Sequence, residues 1–234
     1  MASLFNPIHF AEDTQKVFNT LSKNVRTAIA NGEYIDARMF SESIRTIGDS
    51  FEHQGQKYIM NYKGAKLAKE LTDKKQFNLA SIIYSFLIKN NEQNPVLYED
   101  FAKKGLKLAR RVQDPIHIMA RLDNLNNLYR KTEYGSKKHI KTLVEEKEIL
   151  RKIVKKYKNC INQYITISRQ ALPKEHYEFM LCGIKMEIAK IMLEKNPLMA
   201  ILELESAERM LYKYGTGTLT DRIQMLLHKA YSIL

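Results

Sequence analysis

The stretch Gly32-Glu33-Tyr34-Ile35-Asp36-Ala37, continued by Ser41 and Ile44, decides the fold, because its frame comes back along the chain. A large residue is followed three positions on by a small one, then after four by a third member and after three more by an apolar one. The frame reads Tyr34, Ala37, Ser41, Ile44, and again Phe77, Ala80, Tyr84, Leu87. It continues as His117, Ala120, Asn124, Asn127, as Tyr157, Cys160, Tyr164, Ile167, and as Pro197, Ala200, Leu204, Ala207, at spacings of 43, 40, 40 and 40. A fixed period of this length marks stacked supersecondary units, each of which buries its apolar face only against a neighbour.

Outward from that frame, composition points the same way. The 234 residues suffice for a core of their own, and five prolines, nine glycines, no tryptophan and few Val- or Thr-rich segments leave little vocabulary for strands. The fold class is all-α. Helical periodicity predicts pairs at 9–30 with 34–53, 57–73 with 76–91, 96–112 with 115–131, 137–158 with 160–170, and 174–195 with 197–213. A further helix at 219–233, after Gly215 and Gly217, reads as a C-terminal cap over the last apolar face. Residues 132–136 form the one candidate hinge, and the expectation is a single domain over 1–234 with repeats at 9–53, 57–91, 96–131, 137–170 and 174–213.

Gly32-Glu33-Tyr34-Ile35-Asp36-Ala37 resembles the G-x-Y-x-x-A that opens the second helix of a tetratricopeptide repeat, and the second copy extends the likeness through Phe77, Ala80 and Tyr84. The aromatic at the turn plugs the space between helices, and the small residue lets two helix backbones approach. The third copy departs with Asn124 and Asn127, and the fifth places Pro197, tolerable in a first helical turn, where the aromatic belongs. A period of 40 against the usual 34 implies helices about one turn longer.

The resemblance implies a right-handed α-solenoid of antiparallel helix pairs whose first helices line a concave groove for a peptide or helix of a partner. In such repeats the residues about twelve, eight and five before the turn aromatic face the groove. That places Ser22, Arg26 and Ile29 there, then Ala65, Lys69 and Thr72, with Tyr62 and Lys66 on flanking rows. The set Ser22, Arg26, Tyr62, Lys66 and Lys69 is therefore the expected partner site. Its cations resemble a clamp that some family members close on a peptide carboxylate, but the asparagines of that clamp are absent, so an acidic or amphipathic peptide is expected.

Little points to catalysis. The six histidines lie far apart, His117 holds a packing position, and no P-loop, Rossmann glycine pattern or G-x-S-x-G elbow occurs. Glu145, Glu146 and Glu148 with Lys141, Lys147, Arg151 and Lys152 read as a salt-laced solvent face, since i, i+4 pairs run through them. Cys160 and Cys182 read as packing groups without metal-ligand spacing, and Met180, Met186, Met192, Met199 and Met210 as core. No enzyme activity, cofactor or metal is expected.

The formal charge of +12 is concentrated: residues 101–170 carry 18 Lys and Arg against 6 Asp and Glu, and the rest balances. Lys152, Lys155 and Lys156 are the candidate anion-binding group on this stretch, which reads as a solvated face, an attractor of an acidic protein, or a nucleic-acid footprint. Nucleic acid and a peptide-responsive regulatory sensor stay open as alternatives to the protein-interaction module. No basic leader opens the chain and no apolar run approaches membrane-spanning length, so no membrane insertion and a cytoplasmic location are expected.

Overall fold

The computed structural model describes residues 7–47, 54–158, 160, 172–215 and 217–234. It contains α1 (Pro7–Ala30), α2 (Tyr34–Ile47), α3 (Gln54–Asp73), α4 (Phe77–Asn90), α5 (Pro95–Val112), α6 (Pro115–Thr132) and α7 (Lys137–Lys155), then α8 (Lys174–Met192), α9 (Pro197–Leu211) and α10 (Thr218–Tyr231). Among the described residues there is no strand. The expected second helix of the fourth pair, with Tyr164 and Ile167, lies outside the described residues.

Helix starts follow from local chemistry. Three prolines stand at the first helical position behind Asn94, Asp114 and Asn196, where a missing N–H costs nothing. Each preceding side chain caps its helix: Asn94 accepts from Leu97 N at 3.2 Å, Asp114 from Ile116 N at 2.9 Å, and Asn196 from Met199 N at 3.0 Å. Ser136 does the same for α7, accepting from His139 N at 3.2 Å. Residues 132–136, the candidate hinge, thus lead into a capped helix start.

The repeat shows most directly in the turns. Gly32, with φ +76°, is reached by Glu33 N donating to Ala28 O at 2.8 Å and Gly32 N to Ile29 O at 3.1 Å. Forty-three residues later Lys75 takes the same left-handed place at φ 58°, with Gln76 N on Leu71 O at 2.8 Å and Lys75 N on Thr72 O at 3.0 Å. The pattern is a Schellman-type helix end, built twice at one offset.

The chain divides into two compact units, Met1–Gln113 and Asp114–Leu234. In the first, α1 pairs with α2 and α3 with α4, α2 and α4 lie against each other, and α5 packs on α4. Phe18, Val25, Ala37, Ile44, Leu67, Ala80, Ile83, Phe86 and Leu87 are its fully buried apolar side chains, among others. Gly64 permits the close approach of α3 to α4: a Cβ there would stand 2.9 Å from both Leu87 Cδ2 and Phe86 Cε1. Alanine's helix preference over glycine, about 1 kcal/mol, is opposed by overpacking worth about 1–3 kcal/mol. Gly64→Ala is therefore expected to lower the thermal midpoint. Gly183→Ala, on an exposed site of α8 with nothing within 4 Å of the new atom, is expected to raise it.

In the second unit α6 packs on α7, α7 on α8, α8 on α9 and α9 on α10. Ile223, Leu226, Leu227 and Ala230 of α10 close the α9 core, while Asp221, Arg222, Gln224, His228 and Lys229 face water. Met186 is buried in this core and Met192 and Met210 pack against it, so these methionines are packing groups.

The frame residues divide. Ala37, Ser41, Ile44, Ala80, Leu87, Ala200, Leu204 and Ala207 are fully buried, and Cys160 and Tyr84 nearly so. Tyr34, expected to plug its turn, is instead 57% exposed. Its counterpart Phe77 is half-buried, and Arg111 of α5 lies over its ring at 5.7 Å. The plug is thus closed by a following helix that packs along the second one: α5 does this for α4, whereas α2 packs on α1 and α4. In the third copy the frame residues His117, Ala120, Asn124 and Asn127 are only partly buried, while Ile116, Met119 and Asn126 beside them are buried.

Candidate functional site

In the first unit α1 and α3 run parallel, side by side. Asn19 accepts from Lys63 Nζ at 3.0 Å, and Arg26 Nε donates to both Glu70 oxygens at 3.1 and 2.9 Å, each pair 44 residues apart. Glu70 also takes Lys74 Nζ at 3.2 Å. Partial burial alone would raise its carboxyl pKa, but the hydrogen bonds from Arg26 and Lys74 bring it below the usual value. Arg26 stays 41% exposed while it makes its bond to Glu70.

Tyr58, Tyr62, Lys66 and Lys69 fall at i, i+4, i+8 and i+11 on α3, one stripe of the helix surface. Tyr58 is 75% and Tyr62 70% exposed, and both lysines are exposed. Beneath the stripe an amide cluster fixes the first half of α3 to the end of α4. Asn61 Oδ1 accepts from Asn90 and Asn91 Nδ2 at 2.7 and 2.8 Å, and Asn90 Nδ2 also reaches Lys57 O at 3.3 Å. On α1 the corresponding exposed positions are Asn19 and Lys23. Ser22 is a correction: it is 4% exposed with its hydroxyl unpartnered, so it does not face a partner. The exposed row lies one residue beyond the expected one, because Ser22 and Val25 share the buried side of α1 with Phe18. An open cavity of about 380 Å³ on α1 is lined by Asp13, Lys16, Val17, Thr20 and Leu21.

The second unit carries what sequence reasoning missed. Glu146 and Lys147, read as solvated, are 0% and 6% exposed. They occupy helical positions between Leu143 and Leu150, both fully buried, and that spacing was the available signal. Lys147 Nζ meets Glu203 Oε1 of α9 at 2.5 Å, and the other carboxylate oxygen lies 3.5 Å from Lys185 Nζ, which also donates to Ser206 Oγ at 2.6 Å. Burial pushes the Lys185 pKa down.

On the α6 side, Asn126 Nδ2 donates to Glu146 Oε2 at 2.5 Å. A chain runs beside it: Asn127 Nδ2 to Asp123 Oδ2 at 3.2 Å, Arg130 Nη1 to Asn127 Oδ1 at 2.7 Å, and Arg130 to Glu187 of α8 through Nε at 2.8 Å and again through Nη2. His139, fully buried, accepts at Nδ1 from Gly135 N at 3.2 Å and sets Nε2 3.4 Å from Glu187 Oε1. Burial holds its pKa below the ordinary histidine value. Among the described residues no cluster of His, Cys, Asp and Glu has the arrangement of a metal site.

Lys152, Lys155 and Lys156 are exposed at the end of α7, where cations also meet the negative end of the helix dipole. The adjacent Tyr157 is half-buried: its ring lies 6.1 Å from that of Tyr177 and its hydroxyl donates to Leu172 O at 2.7 Å. Cys160 and Cys182 are buried, and desolvation raises both thiols, Cys182 to about 11, which removes thiolate reactivity. No helix among the described residues is long and apolar enough to cross a membrane. No family model matches the chain, and no curated protein matches it.

Proposed function

We propose that the chain is a non-catalytic interaction module, a tetratricopeptide-like right-handed solenoid capped by α10, that binds an acidic segment of a partner protein in the cytoplasm. The observation that carries this reading is the α1–α3 face. Arg26 is held by Glu70 yet remains 41% exposed, and Lys66 and Lys69 stand beside two exposed tyrosines. Exposed aromatics with cations supply apolar area and charge-assisted donors to a carboxylate-bearing chain. The paired turns at Gly32 and Lys75 support the repeat assignment, and the enclosure of Glu146 and His139 favours a binding role over catalysis.

An array of short acidic, neutral and basic peptides tests this at two salt concentrations. Acidic peptides are expected to bind, and Arg26→Ala with Lys69→Ala should weaken them at least tenfold with far-ultraviolet circular dichroism unchanged, since each charge-assisted bond contributes about 1.5–3 kcal/mol. Equal binding by the double variant would remove the site from α1–α3. Tight binding to nucleic acid instead, abolished by Lys152→Glu with Lys156→Glu, would move the function to the end of α7.

A further inference from the structure

The buried pair of Glu146 and Asn126 has an unbalanced set of hydrogen-bonding atoms. Asn126 Nδ2 donates to Glu146 Oε2, which leaves Glu146 Oε1 and Asn126 Oδ1, two acceptors of one pair, both buried and both without a donor. Buried acceptors left unmatched are costly, and a carboxyl that keeps its proton turns one of the two into a donor.

The charges around the pair favour the same state. From α6 come Asp123, partly buried, and Arg130; from α8 comes Glu187, which Arg130 already engages twice; from α7 itself comes His139. Lys147, next in sequence, is committed to Glu203 of α9. An ionised Glu146 would be a third carboxylate sharing one guanidinium, in an interior site.

We propose that this α6–α7–α8 junction is a pH-sensitive latch: the Glu146 carboxyl holds a proton that keeps α7 seated against α6 and α8, and giving it up to solvent at higher pH loosens α7. Burial, followed by the charge of Asp123, raises this carboxyl to about 8. The folded state therefore binds the proton more tightly than the unfolded chain does. The stabilisation is complete below the unfolded carboxyl's pKa and is lost as pH rises through about 8. His139 does not reverse this, because burial lowers its own pKa and so disfavours a positive charge beside the carboxyl.

Hydrogen exchange of the whole chain, read by mass spectrometry over 137–155 and corrected for intrinsic rates, tests the latch between pH 6 and 9. Wild type should lose protection of α7 as pH rises from 6 to about 8, by tenfold or more, and hold level from there to pH 9. Glu146→Gln, whose amide donates to Asn126 Oδ1 without a titrating proton, should stay flat, and α3 and α4 should not change in either protein. A carboxyl-carbon titration of the wild type gives an independent reading in which one Glu should titrate above pH 7. Identical pH profiles for wild type and Glu146→Gln, or no glutamate titrating above pH 7, would overturn the proposal.

Discussion

Glu203→Ala is expected to lower stability by about 3–5 kcal/mol, because it strands two lysines inside the second unit. Lys147 and Lys185 are 6% and 1% exposed, and Glu203 is the carboxylate that meets both. Without it the hydroxyl of Ser206 remains for Lys185, but a hydroxyl does not neutralise an ammonium. The variant therefore has to bury two charges or shed protons. Lys185, already held below its ordinary pKa by burial, is the group that sheds one. A depressed lysine pKa in the folded state means that the unfolded chain binds more protons, so the deficit should shrink as pH is raised from 7 towards 9.5. Urea denaturation followed by circular dichroism at several pH values measures both effects. Replacing the whole set, Lys147→Met with Lys185→Met and Glu203→Leu, should restore stability close to wild type, since apolar side chains of similar volume avoid the desolvation cost. A loss below about 1 kcal/mol in Glu203→Ala would show that these lysines are solvated after all.

These buried charges mark where the sequence stopped being legible. Helix starts at 34, 77, 115, 137, 174 and 197 were readable to within a residue from helical periodicity, helped by proline at 115 and 197 and by the capping side chains of Asp114, Ser136 and Asn196. The run from Lys141 to Lys152 misled because i, i+4 charge pairing looks the same on a solvated face as on a helix whose charges find partners from other helices. Asn126 lies 20 residues from Glu146 and Glu203 lies 56 from Lys147, so neither partner is visible in local spacing. The plug role of Tyr34 failed for a similar reason: whether an aromatic at a turn is covered depends on the helix after it, as Arg111 over Phe77 shows. For the α1–α3 face, the cations Arg26, Lys66 and Lys69 were readable from the repeat frame, whereas the burial of Ser22 and the grip of Glu70 on Arg26 needed the register of two parallel helices.

Phe86→Ala is expected to cost the first unit about 3–5 kcal/mol, the range for removing a buried phenylalanine and leaving a cavity. Phe86 is fully buried, its ring centroid lies 5.8 Å from that of Phe18 on α1, and its edge fills the space left by the missing side chain of Gly64 on α3. One ring thus joins three helices, and the neighbours cannot all collapse into its place. Phe77→Ala, at a half-buried site under Arg111, should cost less than half as much. Thermal and urea melts of the two variants give the comparison, and equal losses would contradict the joint role of Phe86. The consequence for binding separates stability from recognition. Gly64 lies on the side of α3 away from Tyr62 and Lys66, so the cavity opens behind the exposed stripe. At low temperature, while Phe86→Ala remains folded, it should keep affinity for an acidic peptide within about threefold, whereas Arg26→Ala with Lys69→Ala should lose affinity while its melting point falls only by the small amount that a part-exposed ion pair contributes.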